Sequence, residues 1–400
     1  MSYLNNKRIS NFDIISFTTI VFVLLIYYPF GHRAYSEEVT LEKHVMPKPY
    51  FLLVNSSYQN QLDKLDVEKI KVLNDSPYHG ITVRIINEFD DKPFDFESLK
   101  KKAEFVKNNT SKQIWPWIFL NRIIGTNEKD NIRDVIKDKP YFLKIKGMDI
   151  YDEAGTLSDF YNLWRISLKL AKNFSSPGVV FDMEPYNNFK VYKVDYLKES
   201  QNKSNEEIKK HLKIIGSNLT VIAQEEYPEA IVWFLFTYLG YQTSTINPFS
   251  EKEYMTVSYI AEGMILEAKK RNLPMKFIDG GEVGLGYCYS SLEDMKYKIQ
   301  GRQDKLKSVL CEYNKLYLGG TIAPWNNIKL KRGWMAEKIC GKSPSKTIED
   351  FIPYIRILST NYDYIWIYAT NVAGYDAFDK EISSQFNRGL EKIFRDKSRE

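Results

Sequence analysis

Two acidic side chains stand out by type and spacing. Asp182 and Glu184 lie in the run Gly178-Val179-Val180-Phe181-Asp182-Met183-Glu184-Pro185-Tyr186. The run is apolar and β-rich up to the acids, so it reads as a strand. Residues two apart on a strand point to the same side, with Cα atoms about 6.6 Å apart. Phe181 and Met183 then face the other way, toward whatever layer covers the strand. Two carboxyl groups this close repel when both are ionised, which raises the pKa of one of them. The product is an acid that holds its proton near neutrality, as protonating a glycosidic oxygen requires. A second acidic pair, Asp279 and Glu282, flanks Gly280-Gly281, with Gly284, Gly286, Tyr287 and Tyr289 after it. Those glycines permit close backbone approach. With Glu282 facing Glu184, a two-carboxylate glycosidase becomes available; an ordinary acidic turn is the alternative. The glycine order does not match the dinucleotide fingerprint, so no cofactor is expected there.

Such residues need a scaffold, and the chain past Tyr50 supplies a repeating one. Short β-rich runs alternate with runs of helical period. The strands are expected at Tyr50 to Val54, Gly80 to Ile86, Gln113 to Asn121, Gly178 to Glu184, Ala230 to Tyr238, Met275 to Asp279, Leu316 to Ile322 and Tyr362 to Thr370. Several are apolar on both faces, as parallel strands covered on both sides must be. Helical stripes run through Phe160, Leu163, Leu170 and Phe174; through Ile208, Leu212, Ile215, Leu219 and Ile222; and through Leu292, Met295, Ile299, Leu306, Val309 and Tyr313. A last one runs through Phe378, Ile382, Phe386, Leu390 and Phe394. Ser204 with Glu207 three residues on reads as a capping box. Pro177-Gly178 should end the first of these helices and Pro228 the second. Eight βα units predict an α/β fold, a (β/α)8 TIM barrel over residues 50–400. A doubly wound open sheet is the rival, but the turn Asn55-Ser56-Ser57 lacks a phosphate-binding glycine loop. Two long linkers, Arg122 to Thr156 and Pro324 to Ser345, read as insertions at the barrel's carboxyl face.

In this barrel the chemistry sits where strands end. Candidate substrate-binding residues are therefore Asn121 after strand three, Tyr186 after strand four, Tyr238 after strand five, Asp279 and Tyr287 after strand six, Trp325 after strand seven and Asn371 after strand eight. Aromatic rings stack on sugar faces and amides read hydroxyls, so this set suits a polyhydroxylated ligand. Arg84, Asn87 and Glu88 after strand two are further polar strand-end residues. The bland reading of each is a polar rim with core aromatics behind it.

The run Gly178…Asp182-x-Glu184 at the end of strand four resembles the acid motif of chitinase-type glycoside hydrolase barrels. The resemblance implies that Glu184 is the general acid, and that Asp182 orients an acetamido group of the substrate. It also implies a tryptophan under the reacting sugar on strand eight, where Trp366 lies. Two further aspartates of that motif fall on Pro177 and Val180 here. A catalytically silent barrel that binds glycans or a protein is therefore the alternative.

The rest of the chain bounds the function. Lys7 and Arg8 precede an apolar run from Ile14 to Phe30. Positive charge ahead of such a run keeps the N-terminus cytoplasmic and sends the downstream chain across the membrane. Residues 1–36 are thus expected to be a signal peptide, with Ala34-Tyr35-Ser36 at its cleavage site, or a membrane anchor. Residues 37–49 read as a linker, and the barrel is expected to be secreted or membrane-anchored on the extracytoplasmic side. The net charge of +5 comes from 56 basic residues interspersed with 51 acidic ones, so no nucleic-acid footprint is present. The three cysteines include no Cys-x-x-Cys, and the four histidines no HExxH, which argues against a metal site. A metal-dependent phosphodiesterase barrel, which wants histidine pairs, is disfavoured for the same reason. The expected partner is a polysaccharide or oligosaccharide, with no cofactor.

Overall fold

A computed structural model describes residues 46–56, 60–85, 96–119, 150–182, 202–237, 251–313, 315–323, 348–369 and 387–393, with a few single positions between and beyond them and without 152, 288 and 314. The chain divides at Val45, and the described strands lie in the unit Met46–Glu400. The apolar run from Ile14 to Phe30, the expected cleavage site and the linker before residue 46 lie outside the described residues, as do most of the first long insertion and all of the second. Among the described residues no helix is long and apolar enough to cross a membrane.

The strands are β1 (Tyr50–Asn55), β2 (Gly80–Arg84), β3 (Gln113–Phe119), β4 (Gly178–Asp182), β5 (Ile231–Phe234), β6 (Lys276–Asp279), β7 (Leu316–Ile322) and β8 (Tyr364–Ala369). They pair in sequence order, all parallel, and β8 closes on β1. The barrel is therefore closed, and the open-sheet alternative is excluded. Among the described residues seven longer helices lie between the strands or beside them: α1 (Val67–Asn74), α2 (Phe96–Asn109), α3 (Thr156–Phe174), α4 (Asn205–Glu226), α5 (Glu251–Lys270), α6 (Leu292–Glu312) and α7 (Ile348–Asn361).

Local chemistry explains the element ends. Ser204 and Glu207 form the reciprocal capping box at the start of α4. α3 stops at Ser175, which adopts a left-handed conformation, two residues before the expected Pro177 break. Strand boundaries are shorter than the apolar runs: β5 ends at Phe234, although Leu235 and Phe236 remain buried.

Alternation along each strand sorts the core into two. Tyr50, Leu52, Val54, Trp115, Trp117, Val180, Ile231, Trp233, Leu235, Ile278, Tyr364 and Trp366 fill the barrel interior. Phe51, Leu53, Val179, Phe181, Val232, Phe234 and Phe277 face the helices. Phe181 meets the rings of Phe160 and Trp164 on α3, the outward orientation expected of it. Large rings in the interior require small neighbours. A Cβ on Gly80 would lie 2.1 Å from the Tyr50 hydroxyl, which accepts from Trp115 Nε1 at 2.8 Å.

Candidate active site at the barrel mouth

The strand registers fix which interior side chains share a level. Each strand-to-strand step shifts the level by about one residue, the stagger of an eight-stranded barrel with shear of about 8. Leu52 pairs with Gly80, Trp117 with Val180, Ile278 with Tyr317 and Thr321 with Trp366. On these registers Arg84, Asp182 and Tyr368 occupy one level at the carboxyl end, on β2, β4 and β8. Val54, Trp117, Leu235 and Thr321 form the level beneath. Thr82, Val180, Gly280 and Trp366 form the one below that. Each level draws on alternate strands, which is the layering this barrel uses to fill its interior.

Asp182 continues the inward series of Gly178 and Val180 and is 4% exposed. It is thus a carboxyl group at the inner wall of the mouth, where the sequence places it. On the same level, Arg84 is buried with its guanidinium carbon 4.9 Å from the centre of the Trp117 ring. Its Nη2 donates to the Ser56 carbonyl at 3.0 Å. Across the mouth, Tyr287 stacks on Tyr368, with ring centres 5.5 Å apart and planes 25° apart. The Tyr368 hydroxyl donates to Ser56 Oγ at 2.8 Å, which ties this ring to the end of β1. Both tyrosines are half-buried. Together they make an aromatic wall beside an acidic one.

Trp366 lies below Tyr368 on β8. It is fully buried, and its Nε1 donates across the barrel to the Gly280 carbonyl at 2.8 Å. Tyr287 meets it edge-on at 5.5 Å and Tyr368 at 6.1 Å. Trp366 is the floor under the two tyrosines, and the half-buried rings above it are theirs.

Asp279 takes a structural place. It shares the outward side of β6 with Phe277, while Ile278 points inward. Its Oδ1 accepts from Arg302 Nη2 on α6 at 2.9 Å and from the Gly281 N–H at 2.9 Å. Arg302 also donates to the Gly319 and Asp279 carbonyls, at 2.6 and 2.9 Å. Burial pushes the Asp279 carboxyl up from its ordinary value, against the pull of Arg302 and the Gly281 N–H. The outward register of β6 explains why Asp279 braces the barrel wall to α6, away from the mouth. Gly281, at φ 83°, then turns the chain off β6, and half-buried Glu282 opens the single turn Glu282–Leu285.

Glu184, Tyr186, Asn87, Glu88, Asn121, Tyr238, Trp325 and Asn371 lie outside the described residues. Of the residues singled out from sequence, the described mouth therefore brings together Arg84, Asp182 and Tyr287, with Trp366 beneath. Tyr368 and the inward role of Thr321 were not anticipated. The alternation that places Trp366 inward also places Tyr368 there, so that signal was present in the sequence.

No family model matches the chain, and no curated protein matches it. Solved structures do. The catalytic domain of a β-amylase from Paenibacillus polymyxa is 12% identical, with a TM-score of 0.44, covering 87% of this chain and 99% of that one. A sugar phosphate isomerase/epimerase from Parabacteroides distasonis is 10% identical, with a TM-score of 0.40, covering 86% and 98%. A GH18 chitinase from Flavobacterium johnsoniae is 12% identical, with a TM-score of 0.37, covering 87% and 95%. These are likenesses of overall architecture; the barrel itself rests on the closed parallel strand order.

Proposed function

We propose that this barrel is a glycoside hydrolase or related carbohydrate-active enzyme, with Glu184 as general acid and Asp182 as its partner. The observation that carries this reading is the place of Asp182: an inward carboxyl group at the carboxyl end of β4, level with Arg84 and Tyr368. Glu184, two residues on, shares its side of the chain wherever the extended conformation continues. A carboxylate beside it raises its hold on a proton, which it then delivers to the leaving glycosidic oxygen. Tyr287 and Tyr368 supply aromatic surface for a sugar face. Glu282 is the candidate second carboxylate, as nucleophile or as base for water. The test is a degradation screen of the full chain against soluble polysaccharides, read as new reducing ends. Cleavage of at least one is expected. Sugar binding without cleavage of any would replace the hydrolase by a silent glycan-binding barrel.

The substrate in this proposal is extracytoplasmic, because Lys7-Arg8 ahead of the Ile14 to Phe30 run directs the barrel across a membrane. Deleting residues 1–36 should leave a folded, soluble protein confined to the cytoplasm, read by fractionation. A shortened chain that is still exported, or that precipitates for loss of core, contradicts this.

A further inference from the structure

Beside Arg84 the chain carries a buried amide that no described residue bonds. The segment Asn60–Leu62 pairs with the end of β2. Arg84 N–H donates to the Asn60 carbonyl at 3.2 Å, and Leu62 N–H to the Arg84 carbonyl at 2.9 Å. This makes Gln61 the parallel bridge partner of Arg84, so both side chains take the same side of the sheet. Leu62, next along, belongs to the outer core, which leaves Gln61 turned inward. Asn60 locks the segment in place, donating from Nδ2 to the Asn55 carbonyl at 2.8 Å and the Thr82 carbonyl at 2.7 Å. Gln61 is 1% exposed, yet among the described residues neither its Oε1 nor its Nε2 has a hydrogen-bond partner. The Oγ1 atoms of Thr82 and Thr321, inward on lower levels of the interior, are also without partners among the described residues.

Buried polar groups are normally bonded, and an amide with both ends unmet works against folding. A rigid segment that presents one at the mouth has the form of a binding group awaiting its ligand. We propose that Gln61 is a substrate-binding residue of the mouth, its amide accepting from one hydroxyl and donating to the neighbouring hydroxyl of a sugar ring. The amide offers one acceptor and two donors in one plane, which matches adjacent hydroxyls. This inference rests on the carbohydrate reading of the barrel and adds a hydroxyl-reading group on the β2 side, beside the acidic and aromatic walls.

The test replaces the amide by apolar groups of similar length, Gln61→Leu and Gln61→Met, in the full chain. Binding of cello-, xylo-, malto- and chito-oligosaccharides is measured by calorimetric titration, and thermal midpoints are measured without sugar. The expected result is a midpoint equal to or above that of the wild type, with affinity for the bound sugar lowered about tenfold or more. Lower midpoints in both variants would show that the amide serves the fold and overturn the inference. Affinity within about twofold of the wild type would mean that Gln61 meets ordered water only, and would overturn it while the carbohydrate reading stands. A wild type that binds none of these sugars would overturn that reading, and the role of Gln61 with it.

Discussion

Arg302→Met should destabilise the barrel by about 3–5 kcal/mol, the usual effect of removing one partner from a fully buried ion pair. The side chains of Arg302 and Asp279 are 0% and 3% exposed, so water cannot replace the lost partner. The guanidinium also satisfies the carbonyls of Gly319 and Asp279, tying α6 to both β6 and β7. The variant leaves the Asp279 carboxyl group held by the Gly281 N–H, in a site where burial already pushes its pKa up. Two further measurements separate this account from simple loss of packing. Adding Asp279→Asn to Arg302→Met should recover part of the loss, because the stranded charge disappears. The variant's deficit should also depend on pH. An acid whose folded pKa is raised above its unfolded value, about 3.9, contributes most below that value and loses its contribution as pH rises through the folded pKa. The gap between variant and wild type should therefore narrow on acidification in denaturant titrations. A gap that widens toward acid, or a double variant no better than the single, would refute the pairing account.

The pair also shows where the sequence is legible and where it stops. β4 and β5 are readable because parallel strands buried on both faces are continuous apolar runs, and α4 is readable because its stripe and capping box are local. The inward place of Asp182 comes from the same two-residue period that sets Phe181 against α3. Applied to β6, that period puts Asp279 with Phe277 on the outer side, so its turn away from the mouth was within reach. Its partner was not: Arg302 lies 23 residues on, on a helix whose rotation only packing decides. Trp366 shows a second limit. Its side of β8 is set by alternation, but its depth is set by the barrel's stagger, which no single strand encodes. Gln61 lies in a short segment without periodicity, and its neighbour across the ladder is Arg84, 23 positions later, so only the closed fold brings the amide to the mouth.

Glu184→Gln should lower turnover by ~10²–10⁴-fold while sugar binding survives, the range typical of a lost general acid. The amide keeps the shape and hydrogen-bonding reach of the carboxyl group but has no proton to give a leaving oxygen. Substrates whose leaving group needs no protonation, such as dinitrophenyl glycosides, should lose far less, which distinguishes a lost acid from a distorted mouth. Asp182→Asn should also slow the reaction, and it carries a separate signature. In the proposed pair, a negative Asp182 holds the proton on Glu184 to higher pH, so the loss of that charge should let the Glu184 carboxyl ionise at lower pH. The alkaline limb of the kcat/KM profile, which reports ionisation of the acid in the free enzyme, should therefore move down in pH. Since Asp182 is buried on the inner wall, Asn fits its space, and the change should act through charge more than through packing. An alkaline limb that stays in place in Asp182→Asn would break the link between the two carboxyl groups. Full turnover in Glu184→Gln would remove Glu184 as the acid altogether and leave Glu282, at the turn after β6, as the next carboxyl group to test.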